Sequence, residues 1–313
     1  MMVTQRRLGK NLLSEITRVL DSEDIKYCVD LPLSKHSSFA VGGRCALAAF
    51  PKNLDEIGFL VELSMRSDIK YEVIGMASNV LFLDGLYEKM MIFTSQMRQI
   101  IKSDDGVIYA DAGVNLTSLS VKAAGWGLSG LEFACGIPGS CGGAVYMNAG
   151  AFGGEIANVL EYSEYYDVEN GKVGRLLPDE HRFSYRHSVY QDNRNLIIIG
   201  AGFKLAKSSE DEIRALMDEY TQKRKASQPH EYPNAGSVFK RPAGGFAAKM
   251  IDECGLKGLS VGGACVSKKH AGFIVNLGGA TSSDVLALID IIKENVLERF
   301  GVELECEIRI IKQ

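Results

Sequence analysis

Apolar and polar positions repeat along this 313-residue chain with two periods, and the places where one period gives way to the other mark its elements. Residues 11–28 carry the spacing of a short amphipathic helix and its exit. In PKNLDEIGFLVELSMRS a helix start is explicit: Asn53 stands at the N-cap, Glu56 three positions on, and apolar residues follow at helical spacing. KYEVIG and VLFLD read as two strands of a hairpin around the polar insert Met76-Ala77-Ser78-Asn79. MMIFTS and GVIYADAG continue the strand character, and residues 115–124 turn helical. EYSEYYDVENGKVGRLL is a hairpin around Asn170-Gly171, and LIIIGAGFKL a buried strand. SSEDEIRALMDEYTQKRKA begins with serine and acids and opens a new unit as a charged helix. Thr281 and Asp284 start the last helix, Val285, Leu288, Ile289, Ile292, Val296 and Phe300 form its stripe, and Gly301 stops it. The closing VELECEIRI alternates throughout and predicts a strand with Glu303, Glu305 and Glu307 on its polar face. Strands and helices mix without strict βαβ alternation, which predicts an α+β fold.

Composition narrows the function. A net charge of −4 gives no general attraction to nucleic acid or an anionic membrane, so an anionic ligand must meet local positive charge. Cysteines 28, 45, 135, 141, 254, 265 and 306 form no CxxC pair and no metal-site spacing, and read as small thiols of a reducing compartment. No metal is expected. The first residues hold no apolar core of signal-peptide length, and no apolar run reaches membrane-spanning length. The expectation is a soluble cytoplasmic protein with no obligate protein partner.

Four stretches carry chemistry. Gly125-Trp-Gly-Leu-Ser-Gly130 matches the dinucleotide fingerprint by letter. A helical segment precedes it, however, where the fingerprint needs a strand, so it reads as a helix-ending turn. GIPGSCGGAVYMNAGAFGGE is different: seven of the nineteen residues 136–154 are glycine. Glycine costs conformational entropy, so such a run implies either tight internal packing or a ligand resting on bare backbone. Gly75-Met-Ala-Ser-Asn79 is a second polar turn with N–H groups and two polar side chains. In NAGSVFKRP, Ser237 stands close to Lys240 and Arg241, either as a helix cap or as a hydroxyl beside an anion site. No GxSxG surrounds it, so serine-hydrolase chemistry is not supported. Arg186 in FSYRHS suits a carboxylate. The alternation cannot choose among the three C-terminal glutamates.

In order, SSFAVGG, IGMASNVLFLDG, the glycine run, FSYRHS, NAGSVFKRP, GLKG with GGACVSKKHAGFIVN, and LECEIRII resemble the UDP-N-acetylenolpyruvoylglucosamine reductases, over nearly the whole chain. The resemblance implies non-covalent FAD in a fold of the vanillyl-alcohol oxidase type. Two α+β subdomains, residues 1–95 joined by 303–313 and residues 96–206, would clasp the cofactor, and a substrate domain would span 207–302. Cofactor contacts would come from Gly75, Ser78, Asn79, Gly136, Ile137, Pro138, Gly139, Ser140, Gly142, Gly143, Asn148, Ala149 and Gly150. NADPH would be co-substrate, and the enolpyruvyl ether of UDP-N-acetylglucosamine would take a hydride at C3 and a proton at C2, for peptidoglycan synthesis. Ser237 falls on the proton donor, Arg186 on the carboxylate-binding arginine, Glu307 on the C-terminal catalytic glutamate, and Lys257 on a phosphate-binding lysine. Lys240 and Arg241 are further anion-binding candidates. Another FAD-dependent oxidase or dehydrogenase of the superfamily is the alternative; it would not need Ser237, Arg186 and Glu307 together.

Three features depart from the family pattern. Met76-Ala77 replaces glycine before Ser78-Asn79, Cys135 and Cys141 stand in the glycine run, and only fifty residues separate Arg186 from Ser237. The last marks a shorter subtype, without the inserted loop that covers substrate.

Overall fold

LIIIGAGFK forms the strand Leu196–Lys204, and its unbroken apolar character follows from two faces that both need burying. Ile198, Ala201 and Phe203 enter one core, while Ile197 and Ile199 enter another. The computed structural model describes residues 8–313, so residues 1–7, the start of the first subdomain expected above, lie outside the described residues. The chain divides into two units. Met1–Val29, Ala46–Met76 and Glu88–Gln222 make up the first, and Asp30–Cys45, Ala77–Tyr87 and Lys223–Gln313 the second.

In the first unit Leu196–Lys204 is the middle of five strands, in the order Lys172–Leu176, Leu160–Asp167, Leu196–Lys204, Val107–Asp111 and Ile100–Lys102. The hairpin around Asn170-Gly171 pairs Asp167 with Lys172, and Gly171 takes the left-handed φ of +61° that closing it requires. One core of this unit packs residues of helices Leu116–Gly125 and Cys141–Met147 against the sheet. The other packs Ile16 and Leu20 of helix Lys10–Ser22 with Ile57, Leu60 and Val61 of helix Leu54–Arg66. Asn53 caps the latter helix by accepting the Glu56 N–H, as its start signal predicts. Gly125 ends the helix Leu116–Gly125, Gly127 turns at φ +65° and a short strand follows, so GxGxxG here is a turn and not a phosphate loop.

The second unit holds four antiparallel strands in the order Asn234–Ser237, Phe273–Asn276, Ala264–Val266 and Ser260–Val261. Helix Ser282–Phe300 buries Val285, Leu288, Ile289, Ile292 and Val296 in this unit's core. Thr281 and Asp284 form a reciprocal capping box, and Gly301 ends the helix at φ +65°.

Two expectations are corrected. Tyr71–Ile74 and Val80–Phe82 do not pair as a hairpin: the first lies parallel to Leu86–Phe93, the second parallel to Arg309–Ile311. The short insert between them is therefore a crossing, and the unit boundary falls inside it, between Met76 and Ala77. The terminal strand is also shorter than its alternation suggests. Only Arg309–Ile311 joins a ladder, with an isolated bridge between Cys306 and Phe239. Burial alternates across 302–306 because one side faces the core, and that needs no continuous ladder.

Candidate functional site

In the first unit the glycine run is laced to the first turn of the helix Leu116–Gly125 and to the segment before it. The Gly136 N–H donates to Thr117 Oγ1 at 3.1 Å, and the Leu116 N–H to the Gly139 carbonyl at 2.9 Å. The Cys141 and Gly142 N–H groups donate to Val114 and Ala112 carbonyls at 2.8 and 2.9 Å. Ser140 then caps the helix Cys141–Met147 through the Gly143 N–H. Gly75, sixty-five residues earlier, lies against this cap: a Cβ there would stand 2.3 Å from Ser140 Oγ. Asn115 Nδ2 donates to Met76 Sδ at 3.5 Å. Gly75 and the 139–143 turn, both expected to contact a cofactor, thus form one ledge.

Internal packing explains part of the glycine content. A Cβ on Gly142 would meet the Ala112 Cβ at 2.9 Å, and one on Gly154 the Phe133 ring at 2.7 Å. Gly142, Ser140 and Asn148 are buried; Gly136, Ile137, Gly139, Ala149 and Gly150 are half-buried, and Pro138 and Gly143 exposed. Asn148 ends the helix at φ +42°, donating to the Ser184 carbonyl at 3.1 Å and accepting the Ala157 N–H at 3.0 Å. The outward part, residues 136–139 with Gly143, is a ledge largely of bare backbone. A flat ring or a diphosphate laid on main chain fits such a surface. Cys141 is buried and its thiol is pushed well up by burial, which leaves it inert.

Arg186 belongs to the same unit. It holds a left-handed φ of +57°, and its Nη2 donates to the Gly150 carbonyl at 2.9 Å, so the guanidinium is anchored to the end of the glycine run.

In the second unit the turn Ala77–Asn79 is joined to both remaining candidate residues. Ala77 takes φ +48°, the glycine-like conformation that its replacement of glycine put at issue. Its carbonyl accepts the Ser38 N–H at 3.3 Å, and Ser38 Oγ donates to the Asn234 carbonyl at 2.8 Å, at the start of the strand that ends in Ser237. Asn79 Nδ2 donates to the Glu307 carbonyl at 3.1 Å, and the Glu307 N–H donates to the Val238 carbonyl at 2.7 Å. Glu307 is thereby pinned one residue from Ser237. Burial separates the three glutamates that alternation could not: Glu303 and Glu305 are exposed, Glu307 half-buried.

Ser237 caps no helix. It follows Gly236 at φ +78°, is half-buried, and its hydroxyl has no hydrogen-bond partner among the described residues. Lys240 pairs with Glu305 at 3.1 Å and Lys257 with Asp252 at 2.6 Å, while the Arg241 guanidinium lies 4.5 Å from the Phe246 ring centre. Both lysine pairs are partly exposed and weakly held, so a phosphate can compete for either cation. Ser38, Asn115 and Thr117 organise these turns without standing out in the sequence, because their partners lie far along the chain.

The comparisons with known proteins define the class first. An FAD binding domain matches residues 45–176, which contain Gly75 to Asn79 and the whole glycine run. The fold is therefore α+β with an FAD-binding part, and FAD is its cofactor. Residues 228–311, holding Ser237 and Glu307, match the UDP-N-acetylenolpyruvoylglucosamine reductase C-terminal domain. The enzyme of that name from Caldicellulosiruptor saccharolyticus is 44% identical over 94% of this chain and 94% of its own. That from Syntrophomonas wolfei is 43% identical over 96% of this chain and 99% of its own. The crystal structure of the Thermus caldophilus reductase superposes with a TM-score of 0.77 at 34% identity, covering 92% of this chain and 99% of that one. The chain belongs to the UDP-N-acetylenolpyruvoylglucosamine reductase family.

Proposed function

We propose that this chain reduces the enolpyruvyl ether of UDP-N-acetylglucosamine to UDP-N-acetylmuramate with NADPH, in the cytoplasm, as a step of peptidoglycan synthesis. The observation that carries the reading lies in the second unit: Ser237, whose hydroxyl has no hydrogen-bond partner among the described residues, is next to Val238, whose carbonyl receives the N–H of half-buried Glu307, within the region matching the reductase C-terminal domain. No helix among the described residues is long and apolar enough to cross a membrane, which accords with that setting.

FAD, when bound, supplies hydride carriage between NADPH and C3 of the enolpyruvyl group. The protein must then meet two needs. Negative charge develops toward C2 and the adjoining carboxylate, and a preorganised donor aimed there stabilises it. Arg186 fills this role; it holds a left-handed φ of +57° and its guanidinium is already tethered at Gly150. C2 needs a proton, and Ser237 gives it, its O–H having no acceptor among the described residues. Glu307 acts beside Ser237 as the catalytic carboxylate. Lys257 and Lys240 serve the substrate's phosphates by exchanging protein carboxylates for ligand oxygens, with Arg241 as a further cation.

The cofactor contacts proposed are Gly75, Ser78 and Asn79 with Gly136, Ile137, Pro138, Gly139, Ser140, Gly142, Gly143, Asn148, Ala149 and Gly150. The domain reading follows: residues 1–95 with 303–313, residues 96–206, and a substrate domain 207–302. Two separate cores within the first unit and the pairing of Arg309–Ile311 with Val80–Phe82 support parts of it, while the compact units keep 207–222 in the first and group 30–45 and 77–87 with 223–313. The test is anaerobic spectroscopy of the purified protein. The visible flavin band is expected to bleach with NADPH and return on adding the enolpyruvyl sugar nucleotide. A band that returns only with oxygen would identify an oxidase and overturn the proposal.

A further inference from the structure

Three buried side chains outside the catalytic set converge on one hydroxyl. Ser163, His181 and Tyr190 are 0%, 0% and 1% exposed. Ser163 Oγ lies 2.6 Å from His181 Nε2 and 2.5 Å from the Tyr190 hydroxyl, and His181 Nδ1 lies 2.8 Å from the Leu177 carbonyl. A carbonyl only accepts, so Nδ1 carries the proton and Nε2 of the neutral ring is an acceptor. The Ser163 O–H must then donate to Nε2, and its oxygen accepts the Tyr190 O–H. One arrangement satisfies every group, running from Tyr190 through Ser163 and His181 to Leu177.

A serine this close to a histidine has the geometry of an activated nucleophile. Complete burial excludes that use, since no substrate reaches the hydroxyl. The position of the chain explains it better. His181 immediately precedes, and Tyr190 closely follows, the loop 182–188 that carries Arg186. Arg182 and Arg186 both hold left-handed φ values, +49° and +57°, and Ser184 and His187 bond each other across the turn at 3.2 Å. Two such residues in one short loop persist only when surrounding contacts over-determine them. His181 also stacks on Phe183 at 4.8 Å between ring centres.

We propose that Ser163, His181 and Tyr190 form a buried clasp that fastens both ends of the 182–188 loop to the strand Leu160–Asp167 and so positions Arg186 for the substrate carboxylate. All three are positioning residues, acting through Arg186, and the inference rests on the role given to Arg186 above. A loosened loop lets the guanidinium drift from its aim, and small misplacements of a positioned group are costly in rate.

The test uses the FAD-loaded full chain with Tyr190→Phe and Ser163→Ala, each removing one link. Flavin reduction by NADPH is expected to be unaffected, and reoxidation by the enolpyruvyl sugar nucleotide slowed about 10- to 100-fold. Amide exchange at Ser184 and His187, measured without substrate, is expected to accelerate. In an Arg186→Ala background Tyr190→Phe should add no further loss. Losses that multiply in the double variant, or unchanged exchange across 182–188 in both single variants, would overturn the clasp. If Arg186→Ala itself leaves reoxidation untouched, the role of Arg186 fails instead, and exchange still decides whether the clasp holds the loop. Should Ser163→Ala fail to fold, Tyr190→Phe keeps the packed ring and carries the test.

Discussion

Gly75→Ala probes the contact on which the cofactor ledge depends, and its magnitude follows from two distances. The new Cβ would stand 2.3 Å from Ser140 Oγ but 3.5 Å from Ser140 Cβ. The second is ordinary contact, so only the hydroxyl has to move. That hydroxyl accepts the Gly143 N–H at 3.3 Å and caps the helix Cys141–Met147. Rotating it away forfeits the cap, a loss of about 1 kcal/mol. Gly143 is exposed, so its N–H turns to water and the loss stays at that order. Gly75 does not hold a positive φ, so alanine there also restricts the unfolded chain and returns about 0.4–1 kcal/mol. Gly75→Ala alone is thus expected to be nearly neutral.

The decisive quantity is the coupling. In a Ser140→Ala background the cap is already gone and the methyl meets no hydroxyl, so Gly75→Ala becomes stabilising. A double-mutant cycle of denaturant unfolding, on protein freed of FAD, is expected to give a coupling of about 1 kcal/mol. A coupling indistinguishable from zero would mean that Gly75 and Ser140 do not touch, and the ledge would have to be abandoned.

Three further outcomes are expected. Ser237→Ala leaves bleaching by NADPH intact and slows reoxidation by substrate roughly 10²- to 10⁴-fold in stopped flow; equal damage to both half-reactions would remove Ser237 as proton donor. Glu307→Gln slows the same half-reaction while Glu305→Gln, at an exposed carboxylate paired with Lys240, does not; the reverse result would show the wrong glutamate had been assigned. Stability falls as pH drops below the ordinary histidine value near 6.5, because burial holds His181 and His270 beneath it. The unfolded chain then takes up protons that the folded one refuses, so unfolding midpoints should rise with pH through that range; a flat profile would contradict neutral His181 and His270 rings.

Local chemistry was legible where a residue's partner lies within one turn. Thr281, Asp284 and Gly301 announce both ends of a helix because cap and capped group are three or four residues apart. Asn170-Gly171 announces its hairpin for the same reason. Pairing at a distance was not legible. Tyr71–Ile74 and Val80–Phe82 look like a hairpin because both are short, apolar and separated by a polar turn, yet each finds its partner elsewhere. Alternation in VELECEIRI reports which side chains are buried, and burial is silent about hydrogen bonding. Ser163, His181 and Tyr190 are unremarkable in sequence; only folding gathers them on one hydroxyl.

Ala77 shows how such distant partners bear on the site itself. A left-handed alanine costs about 1–2 kcal/mol, and a glycine would avoid it. What holds the turn is its bonding on both sides: the Ala77 carbonyl receives the Ser38 N–H, the Asn79 side chain holds Glu307, and the Asn79 carbonyl receives the Arg309 N–H. Net gains near 1 kcal/mol per bond are enough to offset the strain of one residue. The alanine also loses less backbone entropy on folding than glycine would, which narrows the difference further. The departure from glycine is therefore tolerable for a reason that lies outside the turn. Because those bonds end at Asn234, through Ser38, and at Glu307, the turn expected to face the cofactor and the segments bearing Ser237 and Glu307 form one hydrogen-bonded assembly within the second unit.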